Sequence, residues 1–391
     1  MDHESVCIVA AAHTRFGRLD GSLEDLVVQV TRDVLVDAAI DAGAIDALFL
    51  GQFNSGLVPD GFPASLMLQA DPQLRFKPAT RCENACASGS AAIQAGINAI
   101  RSGAAELVLV VGAEKMTANS TAEVTRALAG AGYQNDPQEA GLSFAQLFGK
   151  VAQRYTERYQ SPLAAMAAIA VKNHANAMAN PLAQMHRAMD FAHCNSVSPG
   201  NPLIAEPLRL TDCSLISDGA AAILLASPRR AREFRREVAI RALSQVNDFL
   251  PMARRDVLAF EGPQLAIQGA LHEAGLGLDD LAFAEVHDCF TIAELLIYEA
   301  MGLAPKGEGH RALDEGWVNA DGRLPVNLSG GLKAKGHPVG ATGVSMHALG
   351  FRQLTGEPIG LAARSPEFGL LFNMGGMAVA NYASVLQAVR V

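Results

Sequence analysis

The stretch RCENACASGSAAIQAG, residues 81–96, places a cysteine, Cys86, immediately before a run of small and apolar residues with helical spacing. Ile93, Ile97 and Ile100 share one face of the predicted helix. A thiol at the N-terminus of a helix lies near free backbone N–H groups and the positive end of the helix dipole, and both favour the thiolate. Cys86 is therefore a candidate nucleophile, and the alternative is a small buried structural residue.

The chain carries the same order of elements twice, once on each side of its middle. Short apolar runs predict strands, and segments with apolar residues three and four positions apart predict the helices between them. The predicted strands are 6–11, 48–51, 107–111 and 217–227 in the first half and 238–242, 283–286, 370–372 and 377–386 in the second, where residues 324–328 lead into a glycine-rich stretch. This order is typical of a twofold α/β repeat, and the connections imply two mainly parallel sheets.

Residues 116–200 differ from both halves because they are rich in Met, Asn, Gln and Pro and lack a long strand signal. They predict a mostly helical insertion that lies over one face of the core. The predicted domains are therefore an N-terminal half made of residues 1–115 plus 201–234, an inserted loop domain at 116–200, and a C-terminal half at 235–391. A chain of 391 residues is long enough for two similar halves and an insertion.

Composition and charge argue against several classes of protein. The net charge of −9 disfavours a nucleic-acid-binding protein, because binding to phosphates requires clustered Lys and Arg. No apolar run reaches the roughly 18 residues of a membrane span. The six cysteines show neither disulfide spacing nor metal-ligand spacing, and the N-terminus does not resemble a signal peptide. A cytoplasmic protein without a metal site is expected.

A second group of reactive side chains occurs in EVHDCF, residues 285–290. His287, Asp288 and Cys289 follow a short predicted strand, and α/β proteins tend to place their sites at strand ends. The alternative is a polar turn that contains a space-filling cysteine. His287 and Cys289 are therefore candidate catalytic residues.

A glycine-rich segment, GGLKAKGHPVGATG at residues 330–343, places His337 between a glycine and a proline. Glycine allows the backbone to approach a ligand closely, and proline stiffens the turn that orients the imidazole. A phosphate-binding loop is the competing interpretation, but no GK[ST] ends the motif. Lys333 and Lys335 are compatible with ordinary solvated surface residues.

The last segment of interest is FNMGGMAVANY, residues 372–382, in which Gly375 and Gly376 follow a predicted strand. A bare backbone amide at a strand end is a plausible oxyanion donor, and Gly375 is the candidate. A tight turn or a β-bulge is the alternative interpretation.

Taken together, NACASGSAA, SDGAAA, GGLKAKGHPVGATG and NMGGM occur in the order seen in the thiolase superfamily, which this chain resembles over essentially its whole length. The resemblance implies two βαβαβαββ halves packed as a five-layered α-β-α-β-α core, with an inserted loop domain. It also implies acyl-CoA substrates, a homodimer or homotetramer, and coenzyme A as a substrate with no permanently bound cofactor. The residues that bind coenzyme A are not singled out.

Two departures narrow the resemblance to one subgroup. Many thiolases carry Asn-Glu-Ala-Phe where this chain has HDCF, and a second catalytic cysteine where it has Asn373. The second thiol is instead Cys289, a pattern similar to the thiolases related to sterol carrier protein. That resemblance implies that Cys289 takes the acid/base role.

The resemblance also implies a mechanism. His337 accepts the proton of Cys86, whose sulfur attacks a 3-oxoacyl-CoA and forms an acyl-cysteine intermediate. Cys289 protonates the departing acetyl-CoA enolate, or deprotonates acetyl-CoA in the reverse Claisen condensation. The backbone amides of Cys86 and Gly375 would hold the oxyanion, and His337, with His287 helping to place a water, would serve the enolate oxygen.

Two alternatives share the fold. One is a condensing synthase, although such enzymes usually pair cysteine with two histidines or with histidine and glutamate. The other is a thiolase-like subunit that works only with a small partner protein containing an OB-fold and a zinc ribbon.

Overall fold

The computed structural model describes residues 5–389, and eleven strands and eleven α-helices lie in that range. The strands are β1 (Cys7–His13), β2 (Ala47–Gly51), β3 (Ala79–Cys82), β4 (Leu107–Glu114), β5 (Leu203–Ala205), β6 (Leu208–Arg209), β7 (Gly219–Ala226), β8 (Val238–Asn247), β9 (Phe283–Glu285), β10 (Phe368–Gly375) and β11 (Ala380–Ala388). Residues 1–4 and 390–391, which the predicted halves include, lie outside the described residues.

The helices alternate with these strands. They are α1 (Leu23–Ala38), α2 (Ser88–Arg101), α3 (Thr121–Ala129), α4 (Phe144–Arg158), α5 (Leu163–Ala177), α6 (Phe191–Cys194), α7 (Pro228–Ala231), α8 (Glu261–Ala274), α9 (Thr291–Ala300), α10 (Arg311–Asp314) and α11 (Thr342–Leu354). Shorter 3₁₀ turns include Pro63–Ala70 in the first half, and Gly331–Lys335 forms one turn of π-helix. Such π turns are often found at functional sites.

The strands form one nine-stranded sheet in the order β3-β2-β4-β7-β1-β8-β11-β10-β9. In the first half, β3, β2 and β4 are parallel, and β7 runs antiparallel to both β4 and β1. In the second half, β9 and β10 are parallel, and β11 runs antiparallel to β10 and β8. Val326 forms a parallel bridge with Ala284 of β9 and so occupies the position in the second half that β3 has in the first. The two halves therefore share one strand order, as the repeat in the sequence predicts.

The prediction of two mainly parallel sheets is wrong in two respects. Each half mixes parallel and antiparallel pairs, because its last strand, β7 or β11, runs antiparallel to both of its neighbours. The halves are also hydrogen-bonded to each other, since β1 pairs antiparallel with β8 through Cys7 with Ala239 and Ile8 with Val238. β3 was not predicted because it is a four-residue edge strand with exposed Thr80 and Arg81 rather than an apolar run.

The helices lie in three layers around the two halves of the sheet. α2 packs on β4 and β2 and also contacts α11, which packs on β10, so these two helices form the middle layer. α1 covers the outer face of the first half, and α8 covers β8 and β11 on the outer face of the second. Along β4, Val108 and Val110 face the core that contains α2, whereas Leu109 and Val111 face the core that contains α1. The strand is buried on both faces, as its continuous apolar run predicts.

Backbone segments meet without side chains between them where the middle layer begins. A Cβ atom on Gly89, in the first turn of α2, would lie 2.9 Å from the carbonyl oxygen of Gly340. A Cβ atom on Gly340 would lie 2.6 Å from the carbonyl oxygen of Ala113. Only glycine allows this approach, which brings the segment before α2 next to the segment before α11.

The chain between β4 and β7 contains helices α3 to α6 and the two-stranded β5–β6 ribbon. This content agrees with the mostly helical insertion that the composition predicts, and the domain boundaries themselves stay a prediction. α5 contacts both α9 and the π-helical turn at Gly331–Lys335. Among the described residues, none of the helices combines the length and the apolar composition that a membrane span requires.

Candidate active site

The first element of the site is the tight turn between β3 and α2, which carries Cys86. Ala85 has φ of 50°, a left-handed conformation that costs energy for a residue with a Cβ atom. The hydroxyl of Ser88 donates to the carbonyl oxygen of Ala85 at 2.6 Å and accepts the N–H of Asn84 at 2.9 Å. These bonds hold the turn so that the Cys86 thiol stands at the N-terminus of α2.

Residues from three distant segments meet at this thiol. The sulfur of Cys86 and one ring nitrogen each of His287 and His337 all lie within 4.8 Å of one another. The two imidazole rings are nearly perpendicular, at 87°, and their centroids are 5.1 Å apart. The structure therefore brings together the nucleophile and both histidines that the sequence singles out.

Cys289 is the fourth sequence-predicted residue, and it lies buried directly before α9. Burial raises the pKa of this thiol well above its ordinary value, and the pKa rises further when Cys86 or Asp288 is negatively charged. The two cysteines are thus within electrostatic range of each other. Cys289 is a protonated thiol at neutral pH, which suits it to donate a proton.

Hydrogen bonds define the orientation of His337. The hydroxyl oxygen of Ser217 accepts its backbone N–H at 2.9 Å, and the hydroxyl oxygen of Thr342 lies 2.7 Å from its Nδ1. Because the Thr342 hydroxyl donates its own proton to the carbonyl oxygen of Pro338, it accepts from Nδ1, which therefore carries the ring proton. Nε2 is buried and has no hydrogen-bond partner among the described residues. This arrangement leaves the Nε2 lone pair available as a base.

The environment of Cys86 opposes ionisation, contrary to the expectation from its position at a helix end. Burial is the largest effect and raises the pKa of Cys86 to about 12, and the negative charge of Glu114 also raises it. The backbone N–H groups of Gly376 and of Cys86 itself contact the sulfur and lower the pKa, but they do not outweigh burial. Cys86 at rest is therefore a neutral thiol, which would need a base to act as a nucleophile.

Both histidines are neutral for the same reason. Burial, followed by the positive charge of Lys335, lowers the pKa of His337 to about 3. Burial and the neighbouring His337 hold the pKa of His287 well below its ordinary value. A neutral imidazole beside a neutral thiol is the state in which proton transfer from sulfur to nitrogen accompanies attack.

The amide that contacts the Cys86 sulfur belongs to Gly376, one residue after the predicted oxyanion donor Gly375. Gly376 directly follows β10 and has φ of 61°, a left-handed conformation that glycine adopts without a steric cost. A Cβ atom on Gly375 would overlap the carbonyl oxygen of Asn84, so that glycine allows β10 to approach the nucleophile turn. The role of the Gly375 amide stays a prediction.

A buried polar network supports the segment that contains His287 and Cys289. The carboxylate of Asp288 accepts the backbone N–H of Leu332 at 2.6 Å and of Lys333 at 3.1 Å, and the side-chain amide of Asn173 at 2.7 Å. The same Asn173 nitrogen donates to Glu294 at 2.7 Å. The amides of the π-helical turn therefore already bind a carboxylate of the protein. They are not free to bind a phosphate, which argues against the phosphate-loop interpretation of this segment.

Lys172 and Asn173 were not found by sequence reasoning, although a signal was present. They are adjacent polar residues in α5, whose other residues are largely alanine and apolar side chains. Lys172 forms a buried ion pair with Glu294, with 3.0 Å between nitrogen and oxygen.

Lys333 and Lys335 are 3% and 1% exposed, so the expectation of solvated lysines is wrong. The insertion packs over both, which the local sequence does not indicate.

Glu114, at the end of β4, is a second supporting carboxylate that sequence reasoning missed. It accepts the backbone N–H groups of Phe53 at 2.9 Å, Asn54 at 3.0 Å and Gly340 at 3.0 Å. Burial raises the pKa of Glu114 to about 7 despite these bonds. One side chain thus connects the first half of the molecule to the loop that contains His337.

A cavity of about 450 Å³ opens beside the nucleophile turn. Its lining includes Asn84, Ala85, Gly375, Gly376 and Arg81. The guanidinium of Arg81 donates to the carbonyl oxygens of Gln52 and Phe53. A ligand in this cavity would reach the backbone of Gly376, whose amide contacts the Cys86 sulfur.

The cluster of Cys86, His287 and His337 also has the ligand types and spacing that a zinc ion accepts. Sequence spacing does not indicate it, because the three residues come from separate segments. The prediction of no metal site stays a prediction.

Comparison with known proteins agrees with this architecture. Residues 6–229 match the family model described as thiolase, N-terminal domain, and residues 244–388 match the one described as thiolase C-terminal domain-like. The chain belongs to the thiolase family. Cys86 lies within the N-terminal match, and His287, Cys289 and His337 lie within the C-terminal match.

Individual thiolases and relatives resemble the chain over nearly its full length. An acetyl-CoA acetyltransferase of Methanothermobacter thermautotrophicus is 36% identical over 95% of this chain and 96% of its own length. Sterol carrier protein 2 of Oryctolagus cuniculus is 29% identical over 90% of this chain and 65% of its own length. The crystal structure of human mitochondrial 3-ketoacyl-CoA thiolase in complex with CoA superposes with a TM-score of 0.74 at 18% identity, covering 99% of both chains. The thiolase fold and the likeness to sterol-carrier-type relatives are thereby confirmed.

Proposed function

We propose that this chain is a CoA-dependent acyltransferase that cleaves a 3-oxoacyl-CoA to acyl-CoA and acetyl-CoA, or runs the reverse condensation, through an acyl group on Cys86. The observation that carries the proposal is the meeting of the Cys86 sulfur with the ring nitrogens of His287 and His337 within 4.8 Å. The likeness to an acetyl-CoA acetyltransferase over almost the whole chain supports the same class of reaction.

In the first half-reaction, Nε2 of His337 takes the proton of Cys86 while the sulfur attacks the keto carbon of the substrate. The oxygen of the resulting tetrahedral intermediate lies against the backbone N–H groups of Cys86 and Gly376, which already contact the sulfur. Each such donor stabilises the transition state by about 2.7–4 kcal/mol. Expulsion of the acetyl-CoA carbanion then leaves the acyl group on Cys86.

Proton transfer completes the cleavage. Cys289 donates its proton to the carbon of the acetyl-CoA enolate, and the high pKa of this buried thiol keeps the proton available. The thiol of coenzyme A then gives its proton to the Cys289 thiolate and attacks the acyl-cysteine. The Cys86 sulfur leaves, recovers its proton from His337, and acyl-CoA is released. One 3-oxoacyl-CoA and one coenzyme A are consumed, and one acyl-CoA and one acetyl-CoA are formed.

We also propose a compartment, a metabolic role and an oligomeric state for the protein. The protein is cytoplasmic, takes part in lipid metabolism and binds coenzyme A only as a substrate. It forms a homodimer or homotetramer, and β3 at the edge of the sheet, close to the nucleophile turn, is a strand that a second copy can extend. Light scattering of the purified protein tests the oligomer. The prediction of a small OB-fold and zinc-ribbon partner is tested by co-purification from the native cell.

The decisive experiment is to trap the acyl-enzyme. The protein is incubated with acetyl-CoA, digested at low pH and mapped by mass spectrometry, and an acetyl group is expected on the peptide that contains Cys86. Cys86→Ala is the control and should acquire none. A label confined to another residue would contradict the proposal.

A second measurement separates a thiolase from a condensing synthase. A thiolase cleaves acetoacetyl-CoA when coenzyme A is the only other reactant, whereas a synthase that depends on a malonyl substrate shows no such cleavage. A thiolysis screen with short, long and aromatic 3-oxoacyl-CoA substrates then identifies the acyl group.

A further inference from the structure

The amide of Asn373, on β10, connects the nucleophile turn to His287. Its nitrogen Nδ2 lies 3.2 Å from the carbonyl oxygen of Cys86 and 2.9 Å from Nδ1 of His287. Its oxygen Oδ1 accepts the hydroxyl of Ser90 at 2.8 Å. Asn373 and His287 are 2% and 1% exposed, so water does not substitute for these contacts.

The neighbouring carbonyl group decides which way this amide points. A carbonyl oxygen only accepts hydrogen bonds, so the atom of Asn373 that faces the Cys86 oxygen must be the NH₂ nitrogen. The opposite orientation would bring two oxygens together without a proton between them. The NH₂ group therefore directs its second N–H at Nδ1 of His287.

A neutral imidazole carries one proton, on one of its two nitrogens. His287 is neutral, and its Nδ1 accepts from Asn373, so the proton is on Nε2. His337 has the opposite tautomer, because Thr342 accepts from its Nδ1. Two neighbouring rings with opposite tautomers present one donor and one acceptor to the same site.

We propose that Asn373 is a positioning residue that holds His287 in the Nε2–H tautomer, so that this ring donates a hydrogen bond to the enolate oxygen of acetyl-CoA. This inference rests on the proposed function, because an enolate forms only if carbon–carbon bonds are made or broken. His337 then serves the Cys86 thiol, and His287 serves the oxygen. Asn373 thereby has a role of its own at the strand position where the sequence lacks a second catalytic cysteine.

The tautomer can be measured in the full-length protein without any substrate. Long-range ¹H–¹⁵N correlation spectra of protein labelled with ¹⁵N-histidine distinguish a protonated from an unprotonated ring nitrogen. His287→Gln and His337→Gln assign the two signals. We expect protonated Nε2 for His287 and protonated Nδ1 for His337, and protonated Nδ1 for His287 would overturn the proposal.

Substitution of Asn373 tests the functional consequence. In Asn373→Asp, a carboxylate faces Nδ1 of His287 and can only accept a hydrogen bond, so the ring proton shifts from Nε2 to Nδ1 and Nε2 can no longer donate. We expect cleavage of acetoacetyl-CoA to fall by about 10²–10³-fold, as for loss of one oxyanion donor. Exchange of an acetyl group between acetyl-CoA and labelled coenzyme A forms no enolate and should fall by less than about tenfold on the same scale.

Thr342→Val is the matched variant, since it removes the partner of the other histidine. It should slow acetyl exchange and acetoacetyl-CoA cleavage together, because both reactions need His337 to deprotonate a thiol. Equal loss of the two activities in Asn373→Asp, or unchanged cleavage, would overturn the proposal. Failure of the wild-type protein to acetylate Cys86 would refute the proposed function, whereas the histidine tautomers would still be read from the spectra.

Discussion

The segment between the third strand and the next helix occurs once in each half, and the two copies carry different chemistry. In the first half it is the short turn at residues 83–87, which presents Cys86 at the start of α2. In the second half it is the long loop at residues 327–341, which presents His337 before α11. Because α2 and α11 contact each other in the middle layer, the two segments meet. One fold element thus supplies the proposed nucleophile and its repeat supplies the proposed base.

The two segments are held in different ways. Hydrogen bonds between neighbours, from Ser88 to Ala85 and Asn84, hold the turn of the first half. The loop of the second half is held by residues far away in sequence, because Asp288 binds its π-helical turn and Ser217 binds the His337 N–H. The difference shows that a thiol can be presented by local structure, whereas the base is placed by tertiary contacts.

The largest effect is expected from removing the thiol of Cys289, which lies in neither of these two segments. Cys289→Ala deletes the proton donor but leaves Cys86 and His337 in place, so the enzyme should still be acetylated by acetyl-CoA. Cleavage of acetoacetyl-CoA should fall by about 10²–10⁴-fold, the usual contribution of a general acid. Steady-state rates with coenzyme A, together with the mass of the acyl-enzyme, measure both effects.

Cys194→Ala is the control for that substitution, because Cys194 is another buried cysteine, in α6, that belongs to a separate small apolar cluster. It should leave both activities near the wild-type level. Full thiolysis by Cys289→Ala would show that the nucleophile segment and the His337 loop suffice by themselves.

The comparison is sharpened by the pH dependence of alkylation at Cys86. Only the thiolate reacts, and below a pKa of about 12 the thiolate fraction rises tenfold for each pH unit. The rate of modification by iodoacetamide should therefore rise by about 100-fold between pH 7 and pH 9 without a plateau. Quantitative peptide mass spectrometry of Cys86 measures the rate, with Cys86→Ser defining the background from the other cysteines. A plateau beginning near pH 6 would reveal a thiolate–imidazolium pair with His337 and would contradict the neutral resting state.

A smaller effect is expected when the tertiary support of the His337 loop is broken. Asp288→Ala leaves the buried N–H groups of Leu332 and Lys333 without an acceptor, so the free energy of unfolding should fall by at least about 2 kcal/mol. Urea unfolding followed by circular dichroism measures the change. Asp279→Ala is the control because it breaks an ion pair with Arg323 in which both side chains are exposed. It should cost less than about 1 kcal/mol, and an equal loss in the two variants would show that the loop does not depend on Asp288.

Much of the fold was predictable because burial imposes patterns on the sequence. The continuous apolar runs of β4 and β7 and the capping box of Ser22 and Asp25 at α1 identify these elements directly. The edge strand β3 and the direction of the strand pairs were not predictable in this way. An exposed edge strand carries no apolar run, and apolar periodicity contains no information about which strand lies beside which.

The residues of the candidate site also fall into a group that local sequence patterns identify and a group that they do not. Cys86, His287, Cys289 and His337 stand in short motifs that the sequence displays, and the structure brings them together. Asn173, Glu114 and Asn373 were not identified as parts of the site, because each acts across a distance in sequence and has an ordinary residue type. Their function depends on which hydrogen-bond groups they meet, and that is defined only after the chain has folded.

The sequence by itself determined the repeated order of elements, the family, and the identity of the reactive side chains, since all three are written in local patterns. Only the tertiary structure decided their protonation and orientation. Burial keeps the thiols of Cys86 and Cys289 protonated, although nearby backbone amides lower their pKa values. The hydrogen-bond partners of the ring nitrogens assign opposite tautomers to His287 and His337. These properties arise from desolvation and from contacts between distant segments, and no short stretch of residues contains them.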